Sequence, residues 1–144
     1  MNDEVYINLA IKEAKKALNK EEIPVGAVIV KNGKVISKAH NKRNKSNRII
    51  DHAEIIAINK ANRKLKNWRL EDCEIYITLE PCPMCASAIE QSRIKKVITG
   101  AINKNDSNKL ISENILNKIE WKKNVCEEEC SNLINKFFNK KRNR

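Results

Sequence analysis

The sequence predicts an α/β fold in one domain that spans residues 1–144. Hydrophobic residues make up 41% of the chain, a proportion typical of proteins with a buried core. From about residue 24 to residue 101, short apolar runs alternate with helical patterns. Asn32-Gly33, between two of these runs, is a strong hairpin signal. These observations predict a mixed or parallel sheet that is covered by helices on both faces.

The first 40 residues are predicted to form a helix and a two-stranded hairpin. Apolar side chains between Tyr6 and Leu18 recur on one stripe, as in a helix that covers a sheet. Gly26 lies inside the first strand. It indicates either that a ligand or another part of the backbone approaches closely, or that the strand has a bulge. The predicted bounds are Asp3–Lys20 for the helix, and Pro24–Val30 and Val35–Ala39 for the strands.

A polar, basic segment, His40–Ile50, is predicted to be a loop. The following helix is predicted over Asp51–Leu65, with Asp51 as its N-cap. Glu54 then occupies the third helical position of a capping box. Glu54 can therefore be interpreted as a capping side chain, and this structural role is an alternative to a catalytic role.

The second half continues the alternation and then becomes less regular. Pro81 and Pro83 interrupt the pattern, and Pro83 suits a first helical turn. The predicted strands are Cys73–Leu79, Ile94–Ala101 and Glu120–Val125, and the predicted helices are Met84–Ser92, Leu110–Leu116 and Glu127 to the end of the chain.

The charge balance favours a polyanionic partner. Lys and Arg number 29 against 18 Asp and Glu, which gives a formal net charge of +11. Such a surface suits nucleic acid or an acidic membrane face, although a compositional bias towards Asn, Lys and Ile would also raise the charge. We expect no transmembrane segment, because no apolar run is long enough to span a bilayer. Five cysteines behind an acidic N-terminus predict reduced thiols and a cytoplasmic protein.

Two short motifs together predict a catalytic zinc site. His52 is followed two residues later by Glu54, and Pro81 precedes Cys82 and Cys85. The chain has two histidines in all, His40 and His52, so the choice of a histidine ligand is narrow. A Cys-x-x-Cys pair alone would also fit a redox pair or half of a zinc ribbon.

The ligand count decides between catalytic and structural zinc. His52, Cys82 and Cys85 would leave one position of one zinc ion per chain open for water, as in catalytic sites. Glu54 would take the proton of that water and deliver it to a substrate. Cys126 and Cys130 could in principle complete a four-ligand site, although buried free cysteines are the more usual finding.

These motifs resemble those of the zinc nucleobase and nucleoside deaminases. Further stretches are similar to the bacterial tRNA-specific adenosine deaminase family. They are Glu22–Val28, Leu79–Ala86, Ser92-Arg93-Ile94 with Gly100-Ala101, and the ending around Cys130, Phe137 and Phe138. The resemblance implies a three-layer α/β/α cytidine-deaminase-like fold with a mixed five-stranded sheet, usually in a homodimer. It also implies the zinc-dependent hydrolysis of adenosine to inosine at the wobble position of a tRNA anticodon stem-loop.

The same resemblance assigns roles to individual residues. It implies zinc ligation by His52, Cys82 and Cys85, and proton transfer by Glu54. Asn41 would contact the flipped nucleoside, and the backbone N–H groups of Ala53 and Cys82 would line the site. The implied substrate-binding residues are Asn41, Ala53, Pro81, Asn103, Phe137, Phe138, Lys141 and Arg142, with the two phenylalanines equally interpretable as core residues.

Three departures from the family pattern affect the predicted RNA contacts. Asp51 replaces a small residue before His52, Asn103 stands at the position of the usual Asp, and the segment between Gly100 and Cys130 is short. The alternatives are a deaminase of a free base or nucleoside, guanine or cytosine, and a nucleic-acid-binding module with structural zinc. Free-base enzymes gain nothing from a basic surface, and structural zinc needs a fourth protein ligand.

Overall fold

The computed structural model describes residues 3–104 and 107–142, which form six helices and five strands. The helices are α1 (Asp3–Asn19), α2 (Arg43–Ser46), α3 (Ala53–Leu65), α4 (Pro83–Gln91), α5 (Lys109–Leu116) and α6 (Glu127–Arg142). The strands are β1 (Gly26–Lys31), β2 (Lys34–His40), β3 (Cys73–Leu79), β4 (Lys96–Ala101) and β5 (Glu120–Lys122). Asn105 and Asp106, which belong to the short segment between Gly100 and Cys130, and Arg144 at the end of the sequence lie outside the described residues.

The five strands form one mixed sheet in the order β2-β1-β3-β4-β5. β1 pairs antiparallel with both β2 and β3, while β3, β4 and β5 run parallel to one another. The hairpin at Asn32-Gly33 has positive φ at both residues, as its sequence predicts. The α/β class and the mixed five-stranded sheet are therefore confirmed.

Helices cover both faces of this sheet, and alternate residues of the central strands divide between two cores. Ile75 and Ile77 of β3 belong to the core beneath α3, α4 and α5, whereas Tyr76 belongs to the core beneath α1 and α6. Small side chains such as Ala57 and Ala61 let α3 lie close to the strands. The expected three-layer arrangement is confirmed.

Gly26 marks a close approach of helix to strand. A Cβ at this position would overlap the carbonyl oxygen of Ala10 and would lie 2.8 Å from the backbone nitrogen of Ala14, both in α1. The Gly26 N–H also donates to Thr78 Oγ1 at 3.1 Å. The first sequence interpretation is confirmed, and the nearby backbone is that of α1.

Most predicted bounds lie within two residues of the observed ones, but two predictions are wrong. The predicted loop His40–Ile50 contains the short helix α2, two of whose N–H groups donate to the carboxylate of Glu22. The predicted last strand ends at Lys122, because Asn124 and Cys126 have positive φ values that a strand cannot accommodate. None of the described helices has both the length and the apolar character that crossing a membrane requires.

Candidate active site

Two helices of the same layer begin beside each other with potential ligands at their N-caps. His52 is the N-cap of α3 and Cys82 is the N-cap of α4. Both have extended backbone angles, and neither uses its side chain to cap its helix. Pro83 at the start of α4 ends the extended segment that follows β3. Both side chains are thus free to point away from their own helices.

The ligand atoms of His52, Cys82 and Cys85 all lie within 4.8 Å of one another. His52 Nδ1 is 3.5 Å from Cys85 Sγ and 3.7 Å from Cys82 Sγ. Zinc bonds of about 2.3 Å to sulfur and about 2.1 Å to nitrogen, at a tetrahedral angle, place two such ligands about 3.5 Å apart. The three side chains therefore fit a zinc ion in both donor type and spacing.

The electrostatics of the cluster favour a thiolate. Hydrogen bonds from Cys85 and from His52 lower the pKa of Cys82 to about 4. The hydrogen bond to Cys82 raises the pKa of His52, and the same partner, together with burial, raises the pKa of the Cys85 thiol. A pKa lowered in this way favours the thiolate form of Cys82, which is the form of cysteine that binds a metal.

Glu54 lies in the first turn of α3, and its side chain is 4% exposed. Burial raises the pKa of its carboxyl group. The predicted capping box is wrong, because His52 and not Asp51 is the N-cap. Asp51 instead pairs with Arg48 at 3.3 Å and accepts the Lys42 N–H through its backbone carbonyl. Asp51 therefore fixes the preceding basic segment rather than the helix start.

His52, Glu54 and Cys82 line a cavity of about 740 Å³. Apolar side chains and several amides complete the wall. Three cationic residues reach this cavity from separate parts of the fold: Arg43 from α2, Lys104 after β4, and Arg142 from the end of α6. The cavity thus combines a buried carboxylate and a metal-binding cluster with a positively charged rim.

The structure brings most of the predicted substrate-binding residues to this cavity. Its lining includes Asn41, Ala53, Asn103, Phe138 and Arg142. Asn103 is held in place, because its N–H donates to Glu80 Oε1 at 3.1 Å and its side-chain amide donates to the Glu80 carbonyl at 3.4 Å.

Three predicted substrate-binding residues are placed elsewhere. Among the described residues, Pro81, Phe137 and Lys141 do not line the cavity. Phe137 is 4% exposed, and Lys141 Nζ lies 4.9 Å from the centre of its ring. Phe137 is thus a buried residue of α6, which agrees with the core interpretation of one phenylalanine, whereas Phe138 lines the cavity.

The remaining cysteines are separate from the cluster. Among residues 3–104 and 107–142, the metal-binding group consists of His52, Cys82 and Cys85. Cys130 is buried against Gly100, and burial raises the pKa of its thiol to about 12. It is therefore a packing residue, as the simpler sequence interpretation predicts.

Sequence reasoning missed several residues of the cavity. Glu80 lines it, is 6% exposed and organises Asn103. Ser131, Asn135 and Asn139 also line it and lie four residues apart along α6. That spacing was available as a signal, because residues four apart share one helix face.

Comparison with known proteins agrees with this architecture. Residues 1–101 match the family model of the cytidine and deoxycytidylate deaminase zinc-binding region. A tRNA-specific adenosine deaminase of Bacillus subtilis (strain 168) is 46% identical over 142 residues, which are 94% of this chain and 88% of that protein.

Two solved structures extend the comparison. One, from a study of A-to-I editing by tRNA:A34 deaminases at the wobble position, superposes with a TM-score of 0.83 at 32% identity, over 90% of this chain and 98% of the other. A guanine deaminase of Bacillus subtilis gives a TM-score of 0.68 at 41% identity, over 71% and 66% of the two chains.

The sheet, the two helix starts and the family match define a deaminase domain of the zinc-binding class. Within this class, the match to the tRNA-specific adenosine deaminase covers 94% of this chain at 46% identity, whereas the match to the guanine deaminase covers 71% at 41% identity. The chain belongs to the tRNA-specific adenosine deaminase family.

Proposed function

We propose that this chain is a zinc-dependent hydrolase that converts adenosine to inosine at the wobble position of a tRNA anticodon. The observation that carries the proposal is the three-residue cluster of His52, Cys82 and Cys85, beside the buried carboxylate of Glu54, in a cavity with a cationic rim. Near-full-length identity to tRNA-specific adenosine deaminases supports the same substrate.

His52, Cys82 and Cys85 would hold one zinc ion per chain. Bound there, the ion would act as a Lewis acid that lowers the pKa of a bound water molecule towards about 7. Three protein ligands support a catalytic rather than a structural site, since structural zinc closes with four. The first N–H groups of α3 and α4 lack acceptors within their helices, so those at Ala53 and Cys82 can donate to a substrate.

Glu54 would move the protons of the reaction. Its carboxylate would take a proton from the attacking water and deliver it to the purine ring nitrogen, and would then take the proton of the resulting hydroxyl group and deliver it to the departing amino group. The C–N bond to that group breaks, a carbonyl replaces it, and ammonia leaves. Burial favours this role, because it raises the pKa of the carboxyl group and so makes Glu54 a stronger base than an exposed glutamate.

The cationic rim supports a nucleotide within an RNA chain over a free base. Arg43, Lys104 and Arg142 would lie near the phosphates that flank a flipped nucleoside, whereas a free guanine or cytosine has no such charge. Asn41 and Phe138 would contact the nucleoside and its neighbours, and Asn103 would contribute from the loop after β4.

The proposal also includes a cytoplasmic homodimer and one domain over residues 1–144. Two pairs of adjacent apolar side chains are exposed, Ile49 with Ile50 and Leu110 with Ile111, which supports a covered surface in solution. Sedimentation velocity would test the dimer, and a monomer at micromolar concentration would contradict it.

The test of function is to incubate the purified protein with an anticodon stem-loop that carries adenosine at the wobble position. Nuclease digestion and mass spectrometry would then detect inosine, with a stem-loop carrying guanosine there as the control. Deamination of free guanine or cytosine without reaction on RNA would overturn the proposal in favour of a free-base enzyme. Bound zinc without any deamination would favour a nucleic-acid-binding module.

A further inference from the structure

Glu22 is a buried carboxylate outside the catalytic cluster. It lies in the connection between α1 and β1, and the residue is 2% exposed. Its two carboxylate oxygens accept backbone N–H groups from a distant segment, that of Asn44 at 3.1 Å and that of Lys45 at 2.8 Å. Hydrogen bonds to an ionised acceptor are strong, and they offset the loss of hydration on burial.

The short helix α2 depends on these bonds. It has four residues, and its N-cap residue, Lys42, makes no side-chain capping bond. The Arg43 N–H donates to Asn41 Oδ1 at 3.2 Å, and the next two N–H groups donate to Glu22. A helix this short has no stability of its own in water, so α2 needs such external partners.

Glu22 is itself fixed to the body of the fold. Its N–H donates to the carbonyl of Ala17 at 2.9 Å, at the end of α1. Glu22 therefore connects α2 to α1, which covers one face of the sheet together with α6. The distant carboxylate also explains how α2 forms although its own sequence shows no helical signal.

The segment that Glu22 holds carries a cation to the cavity. Arg43 lines the cavity, and Lys42 and Lys45 are its close neighbours in sequence. Mutual repulsion of the three cations favours their separation, and the Glu22 charge opposes it. His52 and Cys82 are held by other helices, α3 and α4, so release of α2 would displace Arg43 and leave the metal-binding cluster intact.

We propose that Glu22 is a positioning residue for nucleic-acid binding, which holds Arg43 at the cavity through the backbone of α2. The inference rests on the proposed function, since it takes an RNA strand as the ligand. Glu22 does not touch that strand. Its contribution is to affinity for the phosphate backbone and not to the chemical step.

The test compares Glu22→Gln and Glu22→Ala with the control Glu13→Gln. Glu13 is also a buried glutamate, 6% exposed, but it pairs with Lys16 on its own helix. Glutamine keeps one acceptor oxygen and nearly the same shape, so it tests the idea even if alanine prevents folding. Fluorescence anisotropy would give Kd for an anticodon stem-loop over a range of salt concentrations, and inosine formation would give kcat and KM.

We expect Glu22→Gln to raise Kd and KM about three- to tenfold with kcat nearly unchanged, and Glu22→Ala to raise them further. The salt slope of binding should fall by about 0.7, the loss of one phosphate contact on single-stranded RNA. In an Arg43→Ala background, Glu22→Gln should have less than about twofold effect, because both changes remove the same contact.

A full effect of Glu22→Gln in the Arg43→Ala background would overturn the inference, as would a lower melting temperature with unchanged Kd. The binding measurement also separates this inference from the proposed function. Wild-type protein that binds the stem-loop without forming inosine refutes the function and leaves the role of Glu22 open to the same Kd comparison. Wild-type protein without affinity for the stem-loop refutes both.

Discussion

Glu54 is the residue on which the proposed chemistry depends most directly. It is 4% exposed, two residues from His52, and its side chain faces the cavity. We expect Glu54→Gln to lower kcat for inosine formation by about 10²- to 10⁴-fold, because glutamine has nearly the same shape but cannot carry a proton. Metal analysis should find unchanged zinc, because the three ligands are untouched.

Glu71→Gln is the matched control for Glu54→Gln. Glu71 is exposed and pairs with Arg69 at 3.5 Å, so its substitution should leave kcat and zinc content unchanged. If Glu54→Gln retained wild-type activity, Glu54 would be no more than a helix residue. If it lost zinc, its effect on rate would not report proton transfer.

His40 provides a pH-dependent contribution to stability. It is 5% exposed, and burial lowers its pKa from 6.5. The unfolded chain therefore binds more protons than the folded one at pH values between that lowered pKa and 6.5. Wherever the unfolded state binds more protons than the folded state, the free energy of unfolding decreases as the pH is lowered. Acidification below about 6.5 should therefore destabilise the fold through His40.

Urea denaturation at pH 7.5 and at pH 5.5 would measure this effect. The free energy of unfolding of His40→Gln should decrease less on acidification than that of the wild type, because glutamine does not titrate. The other titrating groups are common to both proteins and cancel in the comparison. An equal decrease in both proteins would show that His40 does not drive the pH dependence.

Residue types and spacing were enough to predict the cluster but not its surroundings. Because the chain has two histidines and one Pro-Cys-x-x-Cys motif, few sets of zinc ligands were possible, and His52, Cys82 and Cys85 were among them. Glu22 and Glu80 escaped prediction, because each binds a backbone more than 20 residues away in sequence and no local pattern records such a contact. Phe137 and Phe138 are adjacent, and the orientation of α6 decides which of them is buried.

At the scale of elements, the packing of α1 on β1 depends on Gly26. A Cβ there would overlap the Ala10 carbonyl oxygen of α1, which is a backbone atom and cannot rotate away as a side chain can. We expect Gly26→Ala to lower the free energy of unfolding by about 1–3 kcal/mol or more, as overpacking typically does. Urea denaturation would measure it.

Gly33→Asn is the matched control for Gly26→Ala. Gly33 is exposed in the hairpin turn with φ of 76°, a conformation that asparagine tolerates. We expect it to cost less than Gly26→Ala, because the strain of a positive φ is smallest for asparagine and no backbone atom blocks the new side chain. Similar losses in both variants would mean that the close contact with α1 is not the cause.

Most helices and strands follow from local patterns, and the exceptions have a common cause. Bounds such as Cys73–Leu79 were predictable because apolar residues alternate or recur with a fixed period. The helix α2 and the true start of α3 were not, because side-chain contacts that no periodic pattern records fix them. In both places a carboxylate, Glu22 or Asp51, binds the basic segment between β2 and α3.

At the scale of the whole molecule, the cavity draws on both covered faces of the sheet. The metal-binding cluster comes from α3 and α4 on one face, while Phe138 and Arg142 come from α6 on the other. Composition predicted an affinity for polyanions from the net charge of +11. It could not predict that three cations from separate elements meet around one cavity, because that depends on the tertiary arrangement.

This arrangement predicts a steep salt dependence of RNA binding. If Arg43, Lys104 and Arg142 each neutralise one phosphate, the slope of log Kobs against log salt should be about −2 or steeper, at about −0.7 per phosphate on single strands. Anisotropy titrations of a labelled anticodon stem-loop between low and physiological salt would measure it.

Arg142→Gln should flatten the slope by about 0.7, whereas Arg69→Gln, next to Trp68 and outside the cavity lining, should leave it unchanged. A wild-type slope near zero would assign the high lysine content to compositional bias rather than to binding.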